Sequence, residues 1–164
     1  MTPTITHILF TTDLSKNSTY AMRHAASLAR VTGAKLHVLH VMEPMSDDAR
    51  VTIQMFIQDK SVRDDAMSSR NQHVKALLAE RQKNFWAALP DEDRSIQDQI
   101  ESIEVVEGHA AEVILRRSKE LGCDIIVLGA HDHGFSHTFL GTVAKRVLRR
   151  ATIPTLVVPY SEDP

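Results

Sequence analysis

Short apolar runs alternate with amphipathic stretches along most of this chain. Thr6 to Thr12 is apolar and rich in β-forming residues, and Lys35 to Val41 repeats the pattern, so both are predicted strands. Between them, Lys16 to Thr32 carries Ala21, Ala25, Leu28 and Ala29 at helical spacing, with Ser15 placed to cap its start and Gly33 to stop it. Val105-Val106 ends a third strand before Glu107-Gly108. The helix predicted after it shows Ala111, Ile114, Leu115, Ser118 and Leu121, and Gly122 ends it. Ile125 to Leu128 reads as a fourth strand and Ile153 to Pro159 as a fifth. Gly141 to Ala151, between them, places Val143, Val147, Leu148 and Ala151 on one helical face. Near-continuous apolar strands alternating with amphipathic helices imply the α/β class, with a parallel sheet covered on both faces.

Ligands of such sheets bind at the carboxyl ends of the strands, near the point where strand order reverses. The turn Thr11-Thr12-Asp13 and the loop after Gly129 both lie at predicted strand ends. From Ile125 an apolar run stops at Gly129, and a helix-like run begins at Gly141-Thr142. Unsatisfied N–H groups in such a turn and at the following helix N-terminus, with the helix dipole, attract polyanions. The same residues serve equally as the turn of an ordinary α/β unit. The stretch from Glu43 to Ser102 is less regular. Glu43 to Asp48 reads as a loop, and Met55 to Arg70 is polar enough to be mobile or to begin a long helix. Val74, Leu77, Leu78 and Phe85 then form a helical stripe that Pro90 ends. Met55 and Phe56 could serve a partner surface or a lid; core packing under a long crossover is the use expected of them.

Length allows one compact domain over residues 1–164, with residues 43–102 as its crossover region. A net charge of −2 with both signs interspersed gives no broad basic face, which argues against nucleic acid as a partner. No basic-then-apolar leader opens the chain, and no apolar run approaches the roughly 20 residues of a membrane helix. The expectation is a cytoplasmic protein with no membrane contact. The lone cysteine, Cys123, fits a reducing compartment and a buried packing role before Asp124-Ile125-Ile126.

Several segments resemble one family. Val105-Val106-Glu107-Gly108-His109-Ala110-Ala111-Glu112-Val113-Ile114, followed by Leu121 to Gly129, is similar to the universal stress protein family. So are Leu140-Gly141-Thr142-Val143-Ala144-Lys145-Arg146-Val147-Leu148-Arg149 with its closing strand, the opening Ile8 to Ser15, and Leu36 to Val41. The resemblance covers nearly the whole chain and is weakest between Glu43 and Ser102. It implies a Rossmann-like (HUP-type) five-stranded parallel sheet, a homodimer paired through the last strand, and in one branch of the family an ATP site.

ATP-binding members carry Gly-x2-Gly-x9-Gly-Ser/Thr. Here Gly129 matches the first glycine and Gly141-Thr142 the last pair, while Asp132 stands where the second glycine is expected and the spacing to Gly141 is one residue shorter. Gly134 can substitute by a shifted alignment. Asp132 would repel phosphate if it pointed inward, or hold a magnesium ion bridging phosphates, since hard cations prefer oxygen ligands. The resemblance implies that Asp13 contacts the ribose or adenine region, that Val41 lines the adenine pocket, and that Gly129, Gly141, Thr142 and Val143 donate to phosphates. At a helix start, Thr142 gains roughly 0.3–1 kcal/mol of anion attraction from the dipole alone. Asp13-Leu14-Ser15 is also good capping chemistry.

His131, His133 and His137 share one loop with Asp132, which opens an alternative metal site, although zinc needs three or four converging ligands. Phosphate contact by His131 or His133 is a smaller role for the same loop. His40, at the end of a strand, reads as a satisfied packing residue. Catalytic signatures are missing: no Gly-x-Ser-x-Gly, His-Glu-x-x-His or Gly-x4-Gly-Lys-Ser/Thr stands in the sequence, and no Gly-x-Gly-x-x-Gly follows the first strand. Any ATP hydrolysis, or self-phosphorylation at Ser136, Thr138 or Thr142, is expected to be very slow. The reading is an ATP-binding stress-response regulator, with or without magnesium. A nucleotide-free dimer acting through protein partners, and a metal-responsive histidine-loop module, are its alternatives. For the dimer, the strand Thr155 to Tyr160 offers an edge that self-pairing would cover, unless the polar tail Ser161 to Pro164 protects it.

Overall fold

The computed structural model describes residues 1–130 and 140–161. The strands are β1 (His7–Thr12), β2 (Lys35–Met42), β3 (Ile100–Glu107), β4 (Ile125–Gly129) and β5 (Thr155–Val158). The helices are α1 (Lys16–Thr32), α2 (Asp47–Phe56), α3 (Lys60–Ala88), α4 (Ala110–Glu120) and α5 (Thr142–Arg150), with a 3-10 turn at Arg94–Gln99. All strand pairs are parallel, in the order β3-β2-β1-β4-β5. The predicted parallel α/β sheet is therefore present, and β1, at its centre, is where the winding reverses.

Strand alternation divides the core into two layers. Ile8, Phe10, Leu36, Val38 and Val127 point to one face, against Ala21, Ala25 and Ala29 of α1 and Leu78, Phe85 and Trp86 of α3. Leu9, Leu39, Ile126 and Leu128 point to the other, against Ala111 and Ile114 of α4 and Ala144 and Val147 of α5. The alanine stripe lets α1 lie close on the sheet. Its ends are those expected: the Ser15 hydroxyl accepts from the Ser18 N–H, and Gly33 is left-handed at φ 69°. Gly108, in the turn from β3 to α4, is fixed by conformation and space together. Its φ is 154°, and a Cβ there would stand 2.7 Å from Val113 Cγ2.

Residues 43–102 are more ordered than their sequence implies. A helix begins at Asp47, capped by Ser46, within the stretch expected to be loop, and the polar run after Met55 starts the 29-residue α3. Packing of Met55 and Phe56 into the core is overturned: they are 70% and 82% exposed. α2 buries none of its residues, and the residues α3 buries fully are Leu78, Gln82, Phe85 and Trp86. The apolar pair falls where α2 hands over to α3, beyond the part of the crossover that reaches the sheet.

Candidate functional site at the strand switch point

The carboxyl ends of β1, β2 and β4 meet the N-termini of α1, α4 and α5 around a cavity of about 260 Å3. Three helix starts converge there, and protein groups occupy two of them. At α1, Asp13 Oδ1 accepts from the Ser15 N–H at 2.9 Å and from the Ser18 hydroxyl at 2.6 Å, while Ser15 Oγ accepts from the Ser18 N–H at 3.3 Å. Capping, the second use foreseen for Asp13, is thus realised in the geometry. At α4, the Glu43 carboxylate reaches across from the end of β2 and accepts from the Ala110 N–H at 3.1 Å. α5 differs: its N-cap is Gly141, with no side-chain cap. The first N–H groups of a helix have no intrahelical acceptor, and among the described residues no side chain caps those of α5.

The two ends of the glycine loop are held together. Gly141 N–H donates to the Ala130 carbonyl at 2.9 Å, and Ala130 N–H to the Val158 carbonyl at 2.8 Å. This fixes where α5 starts relative to β4. Beside it, Asn17 is 4% exposed. Its Oδ1 accepts from the Ser161 N–H at 3.3 Å, and its Nδ2 is buried with no hydrogen-bond partner among the described residues. A Cβ on Gly129 would come within 3.4 Å of that nitrogen, so glycine keeps the approach to it open. An unpaired buried donor is rare and destabilising, and calls for an acceptor. The residues fit an anionic group: an uncapped helix N-terminus and an orphaned amide stand side by side at the switch point.

Other parts of the wall are polar. His40 Nδ1 lies 2.7 Å from the Thr12 carbonyl, which can only accept, so this nitrogen donates the proton of that bond. Leu14, between Asp13 and Ser15, takes φ 64°, uncommon for a branched residue, and its N–H donates to Thr12 Oγ1 at 3.0 Å. Among the described residues lining the cavity there are two carboxylates, Asp13 and Glu43, and no lysine or arginine.

Thr11, Thr12, Asp13, Val41, Gly129, Thr142 and Val143, all expected from the sequence, line this one cavity. Gly141 stands at its margin as the N-cap of α5. His131, Asp132, His133, Gly134, Ser136, His137 and Thr138 lie outside the described residues, and the alternative metal cluster lies there with them. Among the described residues no group of three or more His, Cys, Asp or Glu side chains could hold a metal. Sequence reasoning missed Asn17, His40 and Glu43 as lining residues. Asn17 reads as a helix-start residue and Glu43 as the beginning of a loop. His40 is hydrogen-bonded as foreseen, but it also faces the cavity. Cys123 is buried away from the site, and burial followed by the charge of Asp124 pushes its thiol up to about 11, which suits packing rather than reactivity.

Fold and cavity define a doubly wound α/β protein whose candidate site lies at the switch point. The universal stress protein family matches residues 4–159, and the chain belongs to that family. Universal stress protein MJ0577 of Methanocaldococcus jannaschii is 25% identical over 152 residues, 92% of this chain and 93% of the relative. Universal stress protein A of Photorhabdus laumondii is 27% identical over 157 residues, 96% of each. The solved structure of MJ0577 superposes with a TM-score of 0.70 at 22% identity, covering 98% of this chain and 99% of that one. A universal stress protein solved in complex with cAMP gives 0.62 at 21% identity, covering 97% and 100%. At these identities the solved structures establish the Rossmann-like fold. Among the described residues, no helix is long and apolar enough to cross a membrane.

Proposed function

We propose that this chain binds an adenine nucleotide at the switch-point cavity and acts as a stress-response regulator rather than as a catalyst with rapid turnover. The observation that carries the reading is the uncapped N-terminus of α5 beside the buried, unpartnered Nδ2 of Asn17. Thr142, Val143 and Gly141 would present N–H and hydroxyl groups to phosphate, with Gly129 leaving room for its approach. Thr11, Thr12, Asp13 and Val41 would face the nucleoside, and His131, Asp132 and Gly134, between Ala130 and Leu140 in the sequence, would complete the phosphate side. The described wall offers carboxylates and no lysine or arginine, so ATP would enter with Mg2+ to offset its charge. A relative's complex with cAMP supports the ligand class. The protein is read as cytoplasmic, a homodimer through β5, and without nucleic-acid or membrane partners.

Acid extraction of the purified protein, then calorimetric titration with ATP, ATP with Mg2+, and cAMP, tests this. Gly141→Asp is the informative variant. Gly141 has φ −59° and ψ 157°, the extended geometry of an N-cap, so aspartate would cap α5 in a conformation it favours and occupy the anion position. The expected result is one nucleotide per chain in the wild type. In the variant, affinity should fall at least about tenfold, equivalent to about 1.4 kcal/mol, with no loss of thermal stability. Wild-type protein that binds no nucleotide would move the function to the nucleotide-free reading and its dimer surface.

A further inference from the structure

Away from the switch point, the C-terminal half of α3 and strand β3 enclose a groove of about 750 Å3. Lys75, Leu78, Ala79, Gln82, Lys83, Trp86 and Ala87 line it, recurring at the three- and four-residue steps that place them on one face of α3. Ile100, Ile103 and Val105 form the opposite wall. The groove stays open because small residues, Ala79 and Ala87, occupy the helix positions between the bulky ones. Ile103 is left 46% exposed on an edge strand. Trp86 is 3% exposed and its indole N–H donates to Gln82 Oε1 at 3.3 Å, so the indole is fixed with its polar atom satisfied.

Charge distinguishes this groove from an unfilled core. Lys75, Lys83 and Arg94 line it, and no carboxylate does. Arg94 is paired with Asp91 at 2.6 Å. Neither lysine forms an ion pair or hydrogen bond among the described residues. Two turns of α3 separate the lysines, about 12 Å along the axis, so an elongated ligand would meet a cation at either end. An apolar trough with acid-free, cationic ends is complementary to one chemical class.

We propose that this groove binds a single-chain anionic amphiphile of the fatty-acid type. Its aliphatic chain lies between Ala79 and Ala87 on one side and Ile103 and Val105 on the other, over the edge of Trp86, and its carboxylate meets Lys75 or Lys83. The site is separate from the switch-point cavity and does not rest on nucleotide binding.

Trp86 is the chain's one tryptophan and reports directly on the groove. Laurate, dodecanol and dodecyltrimethylammonium, all below their micellar concentrations, are titrated against the full chain, with Trp86 emission and equilibrium dialysis as independent readouts. Laurate is expected to bind one per chain with a saturable emission change, at least about tenfold tighter than dodecanol. The cation should bind weakest. Lys75→Glu and Lys83→Glu, singly and together, should erase the preference for laurate over dodecanol, the larger single effect marking the end that holds the head. Ala79→Phe should block all three ligands while the circular dichroism melt stays that of the wild type. No uptake of laurate in dialysis overturns the proposal. So does equal affinity for laurate and dodecanol, or laurate binding that survives both the charge reversals and Ala79→Phe.

Discussion

A pair of histidines shows how individual side chains tie this fold to pH. His37 is 4% exposed; its Nδ1 is 2.8 Å from Ser102 Oγ and its Nε2 3.1 Å from His7 Nδ1, with the rings stacked at 5.4 Å. Burial first, then the charge of His7, lowers the His37 pKa; Glu101 and Glu104 raise it and Arg117 lowers it further. With the folded value below the unfolded one of roughly 6.5, both states are deprotonated well above that pH and nothing is gained or lost. As pH falls below it, the unfolded chain takes up the proton first, and stability declines until the folded value is passed. The urea midpoint should therefore drop from about pH 7.5 to about pH 5.5, and drop less in His37→Gln. Equal declines in the two proteins would refute the assignment. Asp124 acts in a separate, more acid window: N–H groups of Thr6 and His7 hold its carboxyl below its ordinary value, so its contribution is present at neutral pH and disappears on acidification. Neither role was legible in the sequence, because the partners lie 30 and 117 or more positions away. Asp13 was legible, since both its cap and its place at the strand end are local.

Elements were recoverable wherever period and punctuation agreed. Ser15, the alanine stripe and Gly33 delimit α1 as expected, and β1, β2 and β4 follow their apolar runs to within a residue. The crossover failed that test for a physical reason: α2 buries no residue fully and α3 none before Leu78, so their contacts are part-buried and mostly through Arg63 and Arg70, and no apolar core stripe marks them. An amphipathic helix with Val51, Met55 and Phe56 exposed is held mainly by its own hydrogen bonds, the Ser46 cap and the Arg63 guanidinium on the Ile57 carbonyl at its end. Amides of residues 47–56 should then exchange with solvent by local opening of near-zero free energy, whereas those of β1 should exchange only on global unfolding. Hydrogen exchange followed by mass spectrometry reads both in one experiment. Protection across α2 equal to that of β1 would mean that a partner, such as a second copy of the chain, covers this helix in solution.

At the scale of the whole molecule, the sheet ends in two unlike edges. β3 is flanked by the groove under α3, while β5 is short and displays Leu156 at 38% exposure, near Tyr160 at 38% beyond its end. Exposed backbone donors and acceptors on such an edge favour pairing with another strand, and two-fold pairing of β5 with its copy closes the sheet symmetrically. The edge is also joined to the candidate site: Ser161, just past β5, donates to Asn17, whose other amide atom is the orphaned donor at the cavity. A ligand that engages Asn17 and a partner that orders the strand after β5 would then act on one side chain, and any coupling between them must be reciprocal. Sedimentation equilibrium should give a dimer for the wild type and a monomer for Leu156→Asp, with nucleotide still bound by the monomer at weaker affinity. A Leu156→Asp protein that remains dimeric would place the interface elsewhere, with the bare face of α2 next in line. A monomer with unchanged affinity would keep the interface but show that the Asn17–Ser161 contact transmits nothing.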